Sequence, residues 1–206
     1  MDIKLRFVNH SSDGNKSEVV IYQKNLTTSM DSLAVAWKVI RYCGRDCYHP
    51  FAYPAGYEVC VADDYGNFSP RVPAENGQLL KLMRTPTGSR RLLRAGPAGA
   101  ANELDVLNGL DLGAVDVCVF KAGRLVGVKT AVTPGQKAVF QYWPTLWIGV
   151  ASQVVQGMAI SSAVMSNANT ELSLIGIASA DIVMSGGGPG EGATPYEFNF
   201  ENIVPI

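Results

Sequence analysis

Residues 115–143, VDVCVFKAGRLVGVKTAVTPGQKAVFQYW, decide the fold. Three runs rich in Val and aromatic residues, VDVCVF, RLVGVKTAV and QKAVFQYW, are parted by Lys121-Ala122-Gly123 and Thr133-Pro134-Gly135. Apolar, β-branched runs bounded by turn residues read as strands. Pro followed by Gly suits a type II turn, because Pro presets φ at the second position and Gly accepts a positive φ at the third. The stretch therefore reads as an antiparallel meander of three strands.

The same pattern continues outward in both directions. Upstream, GQLLKLMR and RRLLRAG flank Thr85-Pro86-Thr87-Gly88-Ser89 and read as a hairpin. At the N-terminus Ile3, Leu5 and Phe7 alternate with Lys4 and Arg6, then the turn cluster HSSDGNKS precedes EVVIYQKN. Downstream, ELSLIGIASADIVM reads as one long strand with a kink or bulge at Gly176. Tyr196, Phe198 and Phe200 then alternate against Glu197 and Asn199. DSLAVAWKVIRY fits a helix through Leu33, Trp37 and Ile40, capped by Asp31 or Ser32, and fits a strand through Leu33, Val35, Trp37 and Val39. Its β-branched and aromatic content favours the strand. No period of 20–50 residues repeats, which excludes propellers and solenoids. The expectation is an all-β chain: a single domain over residues 1–206, an antiparallel two-sheet β-sandwich with at most one short helix.

An apolar share of 47% against 17% charged can bury a core and argues against disorder. A net charge of −1 gives no pull toward nucleic acid, and none is expected as a partner. The first residues contain no uninterrupted apolar run of the kind a secretory signal needs, so a cytoplasmic protein is expected. Cys43, Cys47, Cys60 and Cys118 then read as reduced thiols, with Cys60 and Cys118 as small core residues. The sequons at Asn9, Asn15, Asn25 and Asn67 read as chance. The uncharged stretch 138–170 is broken by polar residues and by Pro144, so it does not read as a spanning helix.

Few motifs carry chemistry. There is no Gly-x-Ser-x-Gly elbow, and only His10 and His49 could serve as an imidazole base. His10, within a polar turn, reads as solvated. No catalytic residue is assigned, and a hydrolase built from scattered acids is the least favoured of three functional readings. Cys43, Cys47 and His49, with Cys60 folding back, have the donor chemistry of a zinc site but not the spacing of a finger, so no metal is expected. ADDYGN, with Asp63, Asp64 and Asn67, reads as a turn rather than a calcium loop. SGGGPGEG lacks the Gly-Lys-Ser/Thr ending of a phosphate loop and carries Glu191, so no nucleotide or other cofactor is expected.

Two constellations remain. Tyr142, Trp143 and Trp147 would, if exposed, form a sugar-stacking or membrane-interface platform, the basis of a membrane-active or glycan-binding reading. Strand alternation would instead bury Trp143 and Trp147 together. The charge layout is sharper. The 78–96 hairpin carries Lys81, Arg84, Arg90, Arg91 and Arg94 and no acid, whereas residues 138–206 carry five acids and no Lys, Arg or His. The balance is +4 before residue 138 and −5 after it, so near-neutrality conceals two opposed regions. The leading expectation is a non-catalytic protein that binds or self-assembles, its partners being copies of itself or an acidic protein surface.

Overall fold

In a computed structural model of the chain, residues 2–14, 17–27 and 32–206 are described, and Ser32 and Leu33 only by their backbone. The sequon at Asn15, the cap candidate Asp31 and part of the HSSDGNKS turn lie outside the described residues. Alternation is realised at the first strand. In β1 (Ile3–Asn9), Ile3, Leu5 and Phe7 are buried while Lys4 and Arg6 face water. There follow β2 (Glu18–Tyr22), β3 (Ser32–Ala34), β4 (Ala36–Ile40), β5 (Tyr48–Tyr53) and β6 (Tyr57–Ala62). The middle of the chain supplies β7 (Val72–Ala74), β8 (Gln78–Arg84), β9 (Arg90–Pro97), β10 (Leu104–Asn108), β11 (Val115–Lys121) and β12 (Arg124–Val132). Last come β13 (Lys137–Phe140), β14 (Thr145–Ala151), β15 (Thr170–Ser173), β16 (Ile177–Gly187) and β17 (Thr194–Pro205). The one α-helix among the described residues, α1 (Ser162–Asn167), is a short turn capped by Ser161, whose Oγ accepts from the Val164 N–H at 3.3 Å.

The strands form four sheets, not the two expected, in the orders β17-β16-β1-β5, β15-β14-β2-β4, β13-β10-β8-β9 and β3-β12-β11-β6-β7. Most ladders are antiparallel, but β1 with β16 and β8 with β10 run parallel. The chain divides into two compact units, each holding two of the sheets. The first comprises Met1–Gln23, Val35–Ala55 and Pro144–Ile206, and the second Lys24–Ala34 and Gly56–Trp143.

The extra sheets arise because several runs that look continuous along the sequence change sheet. Lys121-Ala122-Gly123-Arg124 closes a tight hairpin between β11 and β12, with positive φ at both Ala122 and Gly123 as a type I′ turn requires. Thr133-Pro134-Gly135 also forms its turn, with the Gln136 N–H donating to the Thr133 carbonyl at 3.0 Å. The strand after it, however, pairs with β10 in the other sheet of the unit, so the meander has two strands rather than three. Gly176 is likewise a turn between sheets rather than a kink, since β15 pairs with β14 and β16 with β1 and β17. Of DSLAVAWKVIRY, Ser32–Ala34 and Ala36–Ile40 form strands, with β3 in one unit and β4 in the other.

Within the first unit, Trp37 of β4 is fully buried and meets Phe51 and Tyr53 of β5 edge to face, at ring separations of 6.1 and 6.0 Å. Those strands lie in different sheets, so the three rings are where the two apolar faces join. The Tyr53 phenol, pushed up to about 12 by burial, accepts from Gln23 Nε2 at 3.0 Å. On the other face of β1, Arg6 opposes Asp181 of β16 and its Nε donates to Asp181 Oδ1 at 2.8 Å. Asn202 of β17 donates to the second carboxylate oxygen at 2.7 Å, so one carboxylate joins three adjacent strands. The Arg6 hydrogen bond holds the Asp181 carboxyl below its usual range against the opposing effect of burial.

Trp37→Ala should cost about 3–5 kcal/mol in chemical denaturation, as large core truncations do. Because Asp181 titrates lower in the folded state than in the unfolded chain, its contribution is complete above about pH 4 and is lost as the pH falls through its folded value. Asp181→Asn should therefore flatten the dependence of the urea midpoint on pH in the acid range while leaving that dependence near neutrality unchanged.

Candidate functional site

The basic hairpin forms as read. Arg84 faces Arg90 across the loop end, and the Thr85 N–H donates to Ser89 O and the Gly88 N–H to Thr85 O to close the turn. The five cations do not share one face. Register places Arg84, Arg90 and Arg94 on the face of Leu80, Leu82 and Leu92, and Lys81 and Arg91 on the face of Met83 and Leu93. Arg90 is already engaged, its Nη1 donating to Asp63 Oδ2 at 3.2 Å. Arg84, Arg91 and Arg94 are exposed, and Lys81 is half-buried. What unites them is an edge. β9 is the outermost strand of its sheet and pairs with β8 alone among the described residues.

The acidic region is arranged in a corresponding way. β17 is the outermost strand of its own sheet, with Glu197 and Glu201 exposed and Phe198 buried on the opposite side of the strand. Beyond Asn202, which adopts a positive φ, Ile203 and Val204 are each 51% exposed. Asp181 is held by Arg6 and Asn202. Among the described residues the sheets end in eight edge strands, of which β17 and β9 are the longest, at 12 and 8 residues. The others run from three to six residues, and β5 and β7 carry Pro50 and Pro73. Short edges and prolines discourage pairing with a foreign strand. The two long edges carry opposite charge instead. Sequence reasoning found the charges but could not see that both regions end as sheet edges.

The aromatic residues meet different fates. Tyr142 is buried, stacked on Phe140 at 6.2 Å and near Tyr57 at 6.0 Å, and burial pushes its phenol up. Its hydroxyl has no hydrogen-bond partner among the described residues, and it occupies the space a Cβ at Gly127 would need. Trp143 is 50% exposed, and Trp147 is half-buried in β14. The expectation that both tryptophans are buried together thus fails for Trp143. It rested on strand alternation, which does not span the connection between β13 and β14. Tyr142 cannot contribute to an exposed platform.

Among the described residues no group of three or more His, Cys, Asp or Glu side chains is arranged to hold a metal. Cys43, Cys47 and His49 belong to the first unit and Cys60 to the second. Asn9, buried at the end of β1, holds the Cys43–Cys47 loop instead. Its Nδ2 donates to Cys43 O at 2.7 Å and its N–H to Cys47 O at 3.1 Å, so the amide of that sequon is already engaged. His10 Nδ1 lies 3.0 Å from Asp46 Oδ1. In ADDYGN the Asp63 carboxylate accepts from the N–H groups of Asn67 and Tyr65 at 2.9 and 3.0 Å, which closes the turn and lowers its pKa. Cys60 and Cys118 are buried as expected, but alternation places them on the face opposite Val59, Val61, Val117 and Val119. They form a separate cluster with Phe120, Leu125 and Val128.

Comparison with protein families, with curated proteins and with solved structures finds no match to this chain.

Trp143 should account for most of the quenchable indole emission. Trp143→Phe should therefore blue-shift the spectrum and lower the acrylamide quenching constant with little loss of stability. An unchanged quenching constant would place the exposed indole elsewhere.

Proposed function

We propose that the protein is non-catalytic and acts by self-assembly, the β9 edge of one copy adding to the β17 edge of the next. We read each unit as a two-sheet sandwich whose core is structural and whose one long edge is a docking strand. The observation that carries this reading is that the two longest edges are oppositely charged, Arg90, Arg91 and Arg94 lying on one and Glu197 and Glu201 on the other. An edge strand exposes unpaired N–H and C=O groups that a second strand can complete, and main-chain hydrogen bonds then supply affinity while side chains select the partner. Pairing of β9 with β9, or of β17 with β17, sets like charges opposite one another, which is unfavourable. Pairing of β9 with β17 brings opposite charges together.

Such a contact is heterologous, so it closes into a ring or continues as a filament depending on the rotation between copies. The ion pairs themselves supply little, about 0–1 kcal/mol each when exposed. Their part is to orient the encounter and exclude the wrong pairing. Salt should therefore slow association, since exposed charges are screened beyond about 8 Å at physiological ionic strength.

Light scattering behind size-exclusion chromatography should show a mass above one chain at low salt, rising with concentration. Arg91→Glu with Arg94→Glu should give folded monomers and leave the Arg90–Asp63 pair in place. Glu197→Arg with Glu201→Arg should do the same, and mixing the two charge-reversed proteins should restore assembly. A wild-type chain that stays monomeric at high concentration and low salt would overturn the reading.

A further inference from the structure

The second unit contains a pair of thiols that self-assembly does not use. Val59-Cys60-Val61 in β6 and Val117-Cys118-Val119 in β11 lie antiparallel in register, so that Val59 opposes Val119, Cys60 opposes Cys118 and Val61 opposes Val117. Both cysteines are free thiols, 2% and 6% exposed. Directly opposed residues of an antiparallel pair have Cα atoms about 4.5–5.5 Å apart. A disulfide spans Cα separations of about 4.4–6.8 Å, a range that includes directly opposed residues.

The surroundings favour reaction over simple packing. The guanidinium of Arg71 lies 3.7 Å from the centre of the Phe120 ring, over the same cluster, and 3.7 Å from the Glu58 carboxylate. The two thiols oppose one another across the ladder. That contact draws the Cys60 pKa below its ordinary value, with Arg71 adding to the effect and burial opposing it. Cys118 moves the other way, raised by the same contact and by burial. Two thiols opposed in register, with a cation over the same cluster, have the arrangement of a reactive rather than an inert pair. Arg71, which stacks on Phe120, and Glu58 are both partly exposed, and an exposed ion pair is weak.

We propose that Cys60 and Cys118 are a reversible redox pair that closes as a cross-strand disulfide when the protein meets a peroxide. The Cys60 thiolate attacks one peroxide oxygen, the O–O bond breaks, and the leaving hydroxide takes up a proton to become water. The Cys60 sulfenic acid that results is attacked by the Cys118 sulfur. The S–O bond breaks, the S–S bond forms, and a second water leaves with the Cys118 proton. Two thiols are oxidised by two electrons while one hydrogen peroxide is reduced to two waters. The new bond links two neighbouring strands of the five-stranded sheet, and a thiol reductant reverses it.

The test starts from the full chain carrying Cys43→Ser and Cys47→Ser, so that only the two thiols in question remain. Hydrogen peroxide should remove two hydrogens by mass and abolish titratable thiol in the folded protein. Peptide mapping should find Cys60 joined to Cys118, and dithiothreitol should restore both thiols. Adding Cys118→Ala should leave a sulfenic acid at Cys60 that dimedone traps, whereas adding Cys60→Ala should leave Cys118 unreacted. Mapping the oxidised wild-type chain gives the same answer should any variant fail to fold. Two unchanged thiols after peroxide treatment, or over-oxidation of Cys60 without a cross-link, would overturn the proposal.

Discussion

A small open sheet ends in two strands whose outer N–H and C=O groups lack a ladder partner, and the way those groups are kept from other chains constrains the rest of the molecule. Among the described residues four open sheets create eight such edges. Most are handled locally. β3 and β7 are three residues long, β13 and β15 four, and Pro50 and Pro73 interrupt the donor rows of β5 and β7. β9 and β17 are too long for that solution. Each carries charge of a single sign, and each has a register shift in its one ladder, between Leu79 and Leu80 opposite β9 and at three places along β16 opposite β17. Irregular, charged edges resist unguided pairing. The same charges leave one favourable pairing open, which is why the guard and the proposed docking strand are the same residues.

The edge at β17 depends in turn on what holds it to its sheet. Asp181 lies between Arg6 and Asn202, so a single carboxylate draws the first strand, the penultimate strand and the last strand together. The β1–β16 ladder is parallel and joins residues some 175 positions apart in the chain, since Arg6 opposes Asp181. Neither unit is a continuous stretch of sequence. The first needs three segments and the second two, so native pairing in either must wait for distant parts of the chain to meet. Topologies dominated by such non-local contacts fold slowly and expose strand edges while they do so. Charge on a strand edge discourages pairing with other chains during that interval.

Local features were legible in the sequence and long-range ones were not. Ile3, Leu5 and Phe7 point inward as their alternation requires, and the hairpin around Thr85–Ser89 and the turn at Thr133–Gly135 form as their residues dictate. Turn chemistry fixes the bend but not the partner of the strand that follows. Pro134-Gly135 therefore looks the same whether β13 joins β12 or crosses to β10, and Gly176 looks the same as a kink or as a change of sheet. The count of two sheets failed for that reason. Trp143 was misplaced because alternation was carried across residues 141–144, which lie between strands. The charge asymmetry was plain in the sequence. That both charged regions end as edges is a property of strand order, which no local pattern records.

The thiol pair shows the same division at finer scale. Val-Cys-Val occurs twice, and in each copy alternation puts Cys on the face that its valines avoid. That much was available from the residues, and both thiols are buried as small core residues in a cluster apart from those valines. Only the register of β6 against β11 sets one cysteine opposite the other, and a shift of one residue would have put the two sulfurs on opposite faces, each beside a valine. Register in this sheet is pinned by the inward valines Val59, Val61, Val117 and Val119, all of them buried. The apolar side of the sheet thereby fixes the chemistry of its other side. The packing that stabilises the second unit is also what sets the two cysteines opposite one another.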